Sequence, residues 1–388
     1  MQKRFGPYFI FGVLCFAFIV ISVSANDDGS ILKRLKTITS GPSTVPSNGD
    51  VNPYGVVRVG KSIGSLQKDH ILVSNFNANT TALPNLQGTG TTIVDVAPNG
   101  TVSLFAEINA NALPGPCPGG VGLTTALAVF RTGWVIVGSL PTSDGTAPTA
   151  QAGCLIVLDS LGHVVETFSN SWINGPWDMT WLEGNGHAAL FVTNVLNGTV
   201  AANGAIVDQG TVIRINLTVS EDHMPSIDST TKIGDGFPER TDPAALVVGP
   251  TGLGLSPNHD HSGDGLSCKG NGDDRTLYIA DSVNSRVAAI RDAVCRTSSD
   301  GTGDTVSTGG SLNTPLGLTV TPNGHILTVN GGDGFITEIT RFGEQVAHVL
   351  LDSSGSPAGA GALFGLTFDP STGVIFVDDA TNTLNSFH

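Results

Sequence analysis

"LYIADSVNSRVAAI", residues 277–290, is an apolar run that ends in an acid, then a short polar stretch, then a second apolar run opened by an arginine. Each run is too short for a helix and suits a strand, so the stretch reads as two strands joined by a turn that begins at Asp281. The ending recurs. "ILVSN" closes at Asn75, "VIVGS" at Ser139, "LFVTN" at Asn194, "ILTVN" at Asn330 and "IFVDD" at Asp379. Six repeats of a short polar residue at one strand end, regardless of its charge, are what a turn requires, because Asp, Asn and Ser side chains accept backbone N–H groups from the residues that follow. Catalysis does not require six.

Upstream of each such strand lies another recurring stretch: "NPYGVV" near Gly55, "CPGGVG" near Gly120, "NGPWDMT" near Asp178, "GPTGLGL" near Gly252, "NTPLGLT" near Gly317 and "ALFGLTF" near Gly365. A third apolar segment follows the polar residue, and a fourth follows in several copies, such as "TVSLFAEI", "HVVETF" and "QVAHVLL". Four short strands per unit and six units predict an all-β, six-bladed β-propeller with four-stranded antiparallel blades. The 50 glycines and 21 prolines agree with short strands and many turns. One domain, residues 26–388, accommodates all six units. The last unit supplies only three strands before His388, so the N-terminal segment, residues 26–50, is expected to close the ring by pairing part of residues 30–42 beside residues 382–388.

The first 25 residues carry Lys3 and Arg4, an apolar run, and small residues up to Ala25, the pattern of a secretory signal cut after Ala25. No later stretch is long enough to span a bilayer, so a secreted protein, monomeric in solution, is expected. A net charge of −15 argues against a nucleic-acid partner, whose phosphates need a basic surface. Asn79, Asn99, Asn197 and Asn216 fit the N-glycosylation pattern, which expects a glycoprotein in a eukaryotic host.

Four cysteines remain in the secreted chain, and propeller topology pairs them. With strands A to D counted from the axis outward, the D–A and B–C connections share one face and the A–B and C–D connections the other. Cys117 and Cys154 fall on the first face, Cys268 and Cys295 on the second, so Cys117–Cys154 and Cys268–Cys295 are the predicted disulfides.

"LYIADSVNSRV" resembles an NHL repeat, and the mature chain resembles secreted NHL-type six-bladed propellers, with a more distant likeness to the gluconolactonase and regucalcin superfamily. The metal-dependent lactonases of that superfamily use a glutamate early in the first blade, with asparagine and aspartate from later blades. The corresponding opening here, "VNPYGVV", offers Asn52 and no acid. Asp178, Asn194 and Asp281 are left as an oxygen set for a divalent cation such as calcium.

At the start of strand A, five units carry glycine and the third carries Asp178 beside Trp177, which marks a candidate ligand contact near the axis. Asn52, Tyr54, Asn313 and Phe364 occupy comparable positions and complete that candidate site. The B–C loops of blades one to three are long, and those of blades four to six are short; the long ones are expected to wall a cleft on the face that holds Asp178. "DHSGDGLSCKGNGDD", residues 260–274, has the start of a calcium loop but Asn271 where bidentate Glu belongs. His70, His187 and His325 each precede a strand B and read as turn residues. Two functions follow: a binding module that engages an extracellular ligand or protein through one face, or a metal-dependent lactonase-like hydrolase or lyase at the central mouth.

Overall fold

A computed structural model describes residue 1 and residues 29–80, 84–243, 245–257, 266, 268 and 274–388; the signal segment and most of the calcium-loop stretch lie outside the described residues. Six antiparallel sheets are arranged as blades. Blade 1 runs Val51–Arg58, Ile71–Asn77, Thr92–Val96, Val102–Glu107, and blade 2 runs Leu123–Val129, Val135–Ser139, Leu155–Leu158, Val164–Phe168. Blade 3 consists of Pro176–Gly184, His187–Asn194, Val207–Thr218 and the long Ser226–Asp242, with Leu246–Val248 as a fifth strand. Blades 4 and 5 follow as Pro250–Leu255, Leu277–Asp281, Arg286–Ile290, Asp304–Thr308 and Pro315–Val320, Ile326–Asn330, Phe335–Ile339, Gln345–Leu350. Blade 6 has Leu363–Asp369, Gly373–Asp378 and Thr383–Phe387, and its fourth strand is Ile38–Thr39 from the N-terminal segment, paired as Ile38↔Phe387 and Thr39↔Ser386. The expected all-β propeller and its closure are both present.

The first strand of each blade packs on the first strand of the next all the way round, which puts these six strands at the axis. Glycine is what permits the approach. A Cβ on Gly252, Gly317 or Gly365 would collide with the carbonyl oxygen of Leu316, Phe364 or Tyr54 in the following blade. Between blades, apolar faces of adjacent sheets interlock, as where Leu190, Val192 and Ile213 of blade 3 meet Ala126, Ala128 and Ile136 of blade 2. Burial of these faces is the main source of stability.

Beyond strand Ile38–Thr39, the N-terminal segment is stitched into the ring at a second point. The Glu338 carboxylate accepts the Ser30 hydroxyl at 2.6 Å and the N–H groups of Ile31 and Leu32 at 2.8 and 2.9 Å, and lies 2.6 Å from His325 Nδ1. Both predicted disulfides form, Cys117–Cys154 and Cys268–Cys295, with Cα separations of 5.1 and 5.4 Å.

Two alignments made from sequence shift by residues. In the second blade the inner-strand register runs Leu123↔Ser139 to Leu127↔Val137, so Thr125, not Gly120, occupies the level of Gly55 and Asp178. Blade 2 carries one extra residue in this bulge, and the match at Gly120 fell five residues early, in the connection that precedes the strand. In blade 6 the residue opposite the strand A start is Asp378, paired with Leu363, not Asp379; two adjacent aspartates hide the register.

Candidate functional site

The ring of strand-B ends is architectural. Asp281 accepts Asn284 Nδ2 at 3.0 Å and Arg286 Nε at 2.9 Å through one oxygen, and Asp378 accepts the Thr381 N–H. These two hold the B–C turn, as expected. The others reach the opposite way, into the connection that leads to strand A of their own blade. Asn194 accepts the Asn174 N–H, Asn330 accepts the Asn313 N–H and donates to Ser311 O, Ser139 accepts the Gly122 N–H, and Asn75 donates to Thr44 O. A short polar side chain at this point ties strand B to the incoming chain, whichever side it faces.

Above this ring, on the face of the B–C loops, the mouth is filled by the protein itself. Tyr54 is stacked between Phe76 and Phe364, with ring centroids 4.5 and 3.9 Å apart. Trp177, Leu316, Leu246 and Val248 pack into the same buried cluster. Tyr54, Trp177 and Phe364 therefore plug the mouth, each at most 3% exposed. The Tyr54 hydroxyl has no hydrogen-bond partner, and burial, with Asp379 and Asp242 nearby, pushes its pKa well up. Asn52 is buried in a left-handed backbone conformation, φ 59°, and its N–H donates to Asn382 Oδ1. Asn313 is exposed and donates to Asp333 at 3.0 Å.

The long loops are knitted over this plug. The Thr142 N–H and hydroxyl of blade 2 donate to Gly88 O and Gln87 O of blade 1 at 2.9 and 2.6 Å. Gln87 Nε2 donates to Pro243 O, which belongs to the hairpin that extends blade 3 by a fifth strand. In blade 3 the loop contains a helical turn, Thr199–Ala202, packed on the 3-10 turn Ala147–Thr149 of blade 2. Glu239, fully buried, accepts the Asn197 N–H and the Thr199 hydroxyl at 2.8 Å each through Oε1, while Oε2 has no partner; burial raises its pKa to about 7. Glu239 and the fifth strand were not singled out from sequence, although "DPAALVV", residues 242–248, carries an Asp-Pro turn signal before an apolar run.

Asp178 faces the other way. An axial cavity of about 250 Å³ is lined by all six inner strands, by residues level with Asp178 or further along the chain, such as Arg58, Thr180, Trp181, Thr319 and Thr367. The partly exposed residues lie at that far end, so the cavity opens on the A–B face and ends blind at the plug. The Asp178 carboxyl accepts the Met179 N–H at 2.8 Å and, across the blade boundary, the Leu253 N–H at 3.0 Å. Burial lifts its pKa to about 8 despite these two bonds. The face assignment read from sequence is corrected here: Asp178 lines a cavity opposite the long loops, because its side chain follows strand A inward past the plug.

The oxygen set for a cation is committed elsewhere. Both Asp178 oxygens hold N–H groups, Asn194 Oδ1 holds Asn174, and one Asp281 oxygen holds Asn284 and Arg286, leaving only Asp281 Oδ1 without a partner. These three residues as placed do not fit a hard divalent ion, and no group of three or more metal-ligating His, Cys, Asp or Glu side chains occurs among the described residues. The histidines have separate carboxylate partners: His70 with Asp95 at 2.9 Å, His187 with Asp228 at 3.7 Å and His325 with Glu338. No helix among the described residues is long and apolar enough to cross a membrane.

No protein-family model matches the chain, and no curated protein matches it in sequence. Solved structures do match. A calcium-binding regucalcin from Agrobacterium tumefaciens is 13% identical, with 90% of this chain and 95% of that one covered at a TM-score of 0.51. A streptogramin B lyase is 14% identical over 93% and 99% of the two chains, TM-score 0.50, and a gluconolactonase from Xanthomonas campestris is 13% identical over 91% and 97%, TM-score 0.47. The likeness is one of fold: this chain is a six-bladed β-propeller similar in architecture to the regucalcin and lyase propellers.

Proposed function

We propose that the protein is a secreted, monomeric binding module that engages an extracellular protein through the platform built by the long loops of blades 1–3. The supporting observation is the sealed mouth: the Phe76–Tyr54–Phe364 stack with Trp177 and Leu246 fills the space that a small substrate would need on that face, while the loops above are bonded into one surface. Two disulfides agree with an oxidising compartment. If the chain is N-glycosylated, the exposed Asn79 and Asn99 are the most accessible acceptors; Asn216 is partly exposed with its Nδ2 donated to Ser229, Asn197 donates to Asn194 O, and its Thr199 hydroxyl is buried against Glu239.

The test is crosslinking capture from the extracellular fluid of the source, with wild-type protein beside a variant whose residues 143–149 are replaced by a two-residue turn. A partner captured by the wild type and lost with the loop supports the platform. A second reading is a lactonase-like hydrolase or lyase acting in the axial cavity, favoured by the buried Asp178 carboxyl at its blind end. Lactone or macrolactone turnover that Asp178→Asn abolishes would replace the binding reading with this one.

A further inference from the structure

On the A–B face, opposite the platform and independent of it, the basic side chains are unevenly matched. Arg58, Lys61, Arg291 and Arg296 each hold a carboxylate there. Among the described residues, six exposed basic side chains form no ion pair: Lys33, Arg34, Lys36, Lys68, Arg131 and Arg341. Four of these gather where blades 5 and 6 meet. Glu338 of blade 5 fixes Ser30, Ile31 and Leu32, and the carbonyl oxygen of His388 in blade 6 accepts the N–H groups of Lys36 and Thr37 at 2.8 Å each. Between these anchors the chain makes one turn, Leu32 and Leu35 pack into the core shared by the two blades, and Lys33, Arg34 and Lys36 are left in solvent. The fourth base, Arg341, lies in the C–D turn three residues beyond Glu338, at most about 11 Å along the chain.

Exposed apolar side chains flank this basic stretch on both sides. Phe342, 70% exposed, tips the same C–D turn, with the Arg341 guanidinium 4.8 Å over its ring. Ile38, 42% exposed, follows Lys36 in the closing strand. Four bases against Glu344, the one acid of the turn, leave an excess of three positive charges. The acids of the neighbouring blades on this face, Asp304 and Asp369, are held by Arg291 and Arg58.

We infer that this seam docks on an anionic phospholipid surface, with Phe342 and Ile38 entering the headgroup layer and Lys33, Arg34, Lys36 and Arg341 over the lipid phosphates and carboxylates. A bilayer offers that layering, negative headgroups above an apolar interior. A sulfated glycan would use the charges but has no apolar phase for Phe342 and Ile38. The net charge of −15 does not oppose the contact, because fields are screened within about 8 Å at physiological salt and the platform acids stand a strand's length away, about 17 Å. Docked this way, the molecule turns the platform away from the membrane.

The probe is a vesicle. Protein purified from the medium of a secreting host is floated with vesicles of phosphatidylcholine alone or with about 30% phosphatidylserine, at low and at physiological salt. Expected are flotation with the acidic vesicles alone, weakened by salt, and a loss of about fivefold in affinity per charge, so roughly 25-fold with Lys33→Ala/Arg34→Ala. Phe342→Ser is expected to lose at least about fivefold. Lys68→Ala/Arg131→Ala removes the same charge from blades 1 and 2 of this face and is expected to stay within about twofold of wild type. All five side chains are exposed, so the variants fold as the wild type does, and charge and apolar contact are tested separately. No flotation with acidic vesicles, an equal loss from both charge pairs, or unchanged flotation of Phe342→Ser would overturn the assignment. Binding to immobilised heparin without binding to vesicles would also overturn it and give the seam to a sulfated polyanion.

Discussion

Asp281 and Arg286 form an ion pair in which the acid is fully buried and the base 11% exposed. Arg286 also donates to Thr305 and Thr302, so the guanidinium is committed on every side. Removing one member of such a pair strands the other in an apolar site. Arg286→Ala is expected to lower stability by about 3 to 5 kcal/mol near neutral pH, whereas Asp281→Asn, which keeps an acceptor, costs less than half as much; urea unfolding of both variants checks the order. That Asp281 is a structural residue was legible from its recurrence at six strand ends. Which way each member of the ring bonds was not, because a short amide or hydroxyl at Asn194, Asn330 or Ser139 has donors available on two sides, and only the path of the incoming chain decides between them. Glu239 supplies a second prediction at this scale. Oε1 holds the blade 3 loop and Oε2 has no partner, so Glu239→Gln keeps the bonds and removes the charge. With the folded pKa raised to about 7, ionisation is disfavoured in the native state, and the variant is expected to match wild type at pH 5 and exceed it by about 1 to 3 kcal/mol at pH 8.

Among the elements, the N-terminal segment carries the most consequence for its length. Its closing strand is only Ile38–Thr39, too short to hold by two paired residues, and the Glu338 clamp on Ser30, Ile31 and Leu32 supplies a second anchor in the neighbouring blade 5. Glu338→Ala removes an acceptor from three donors of that segment and leaves His325 without its closest carboxylate. Backbone amides of residues 30–44 are expected to lose protection in hydrogen exchange while those of Val287–Ile290 keep theirs; equal loss in both would show that closure and core open together. The one strand missing from the pattern of blade 6 announced the closure, since a sheet edge left open is a liability the chain must manage. The fifth strand of blade 3 escaped because it comprises three residues, Leu246–Val248, at the end of an insertion whose alternation merges with the strand before it. The same insertion sets the plug, so the sealed mouth was beyond reach of periodicity: Tyr54 and Trp177 look alike as plug or as ligand cradle until Leu246 is placed against them.

At the scale of the whole molecule, the buried carboxyls give the propeller a pH dependence with two limbs of opposite sign. Asp178 is raised to about 8 and Asp379 and Glu239 to about 7, all chiefly by burial. Between roughly pH 4, where unfolded carboxyls ionise, and those values, the native state binds more protons than the unfolded chain, so stability falls as pH rises. Glu338 and Asp369 work in the other direction: hydrogen bonds outweigh their burial and hold both below the ordinary range, so the stability they lend is present above their unfolded values and is lost as pH falls through the folded ones. The two sets do not overlap. Unfolding free energy measured with urea from pH 2 to pH 9 is therefore expected to peak near about pH 4 and to decline on both sides. The assignment can be read limb by limb, because Glu239→Gln should flatten part of the alkaline decline without moving the acid one, and Glu338→Gln should weaken the acid limb alone. A single plateau from pH 5 to pH 9 would mean that Asp178, Asp379 and Glu239 ionise as freely in the native state as in the unfolded chain, so that burial does not hold them protonated.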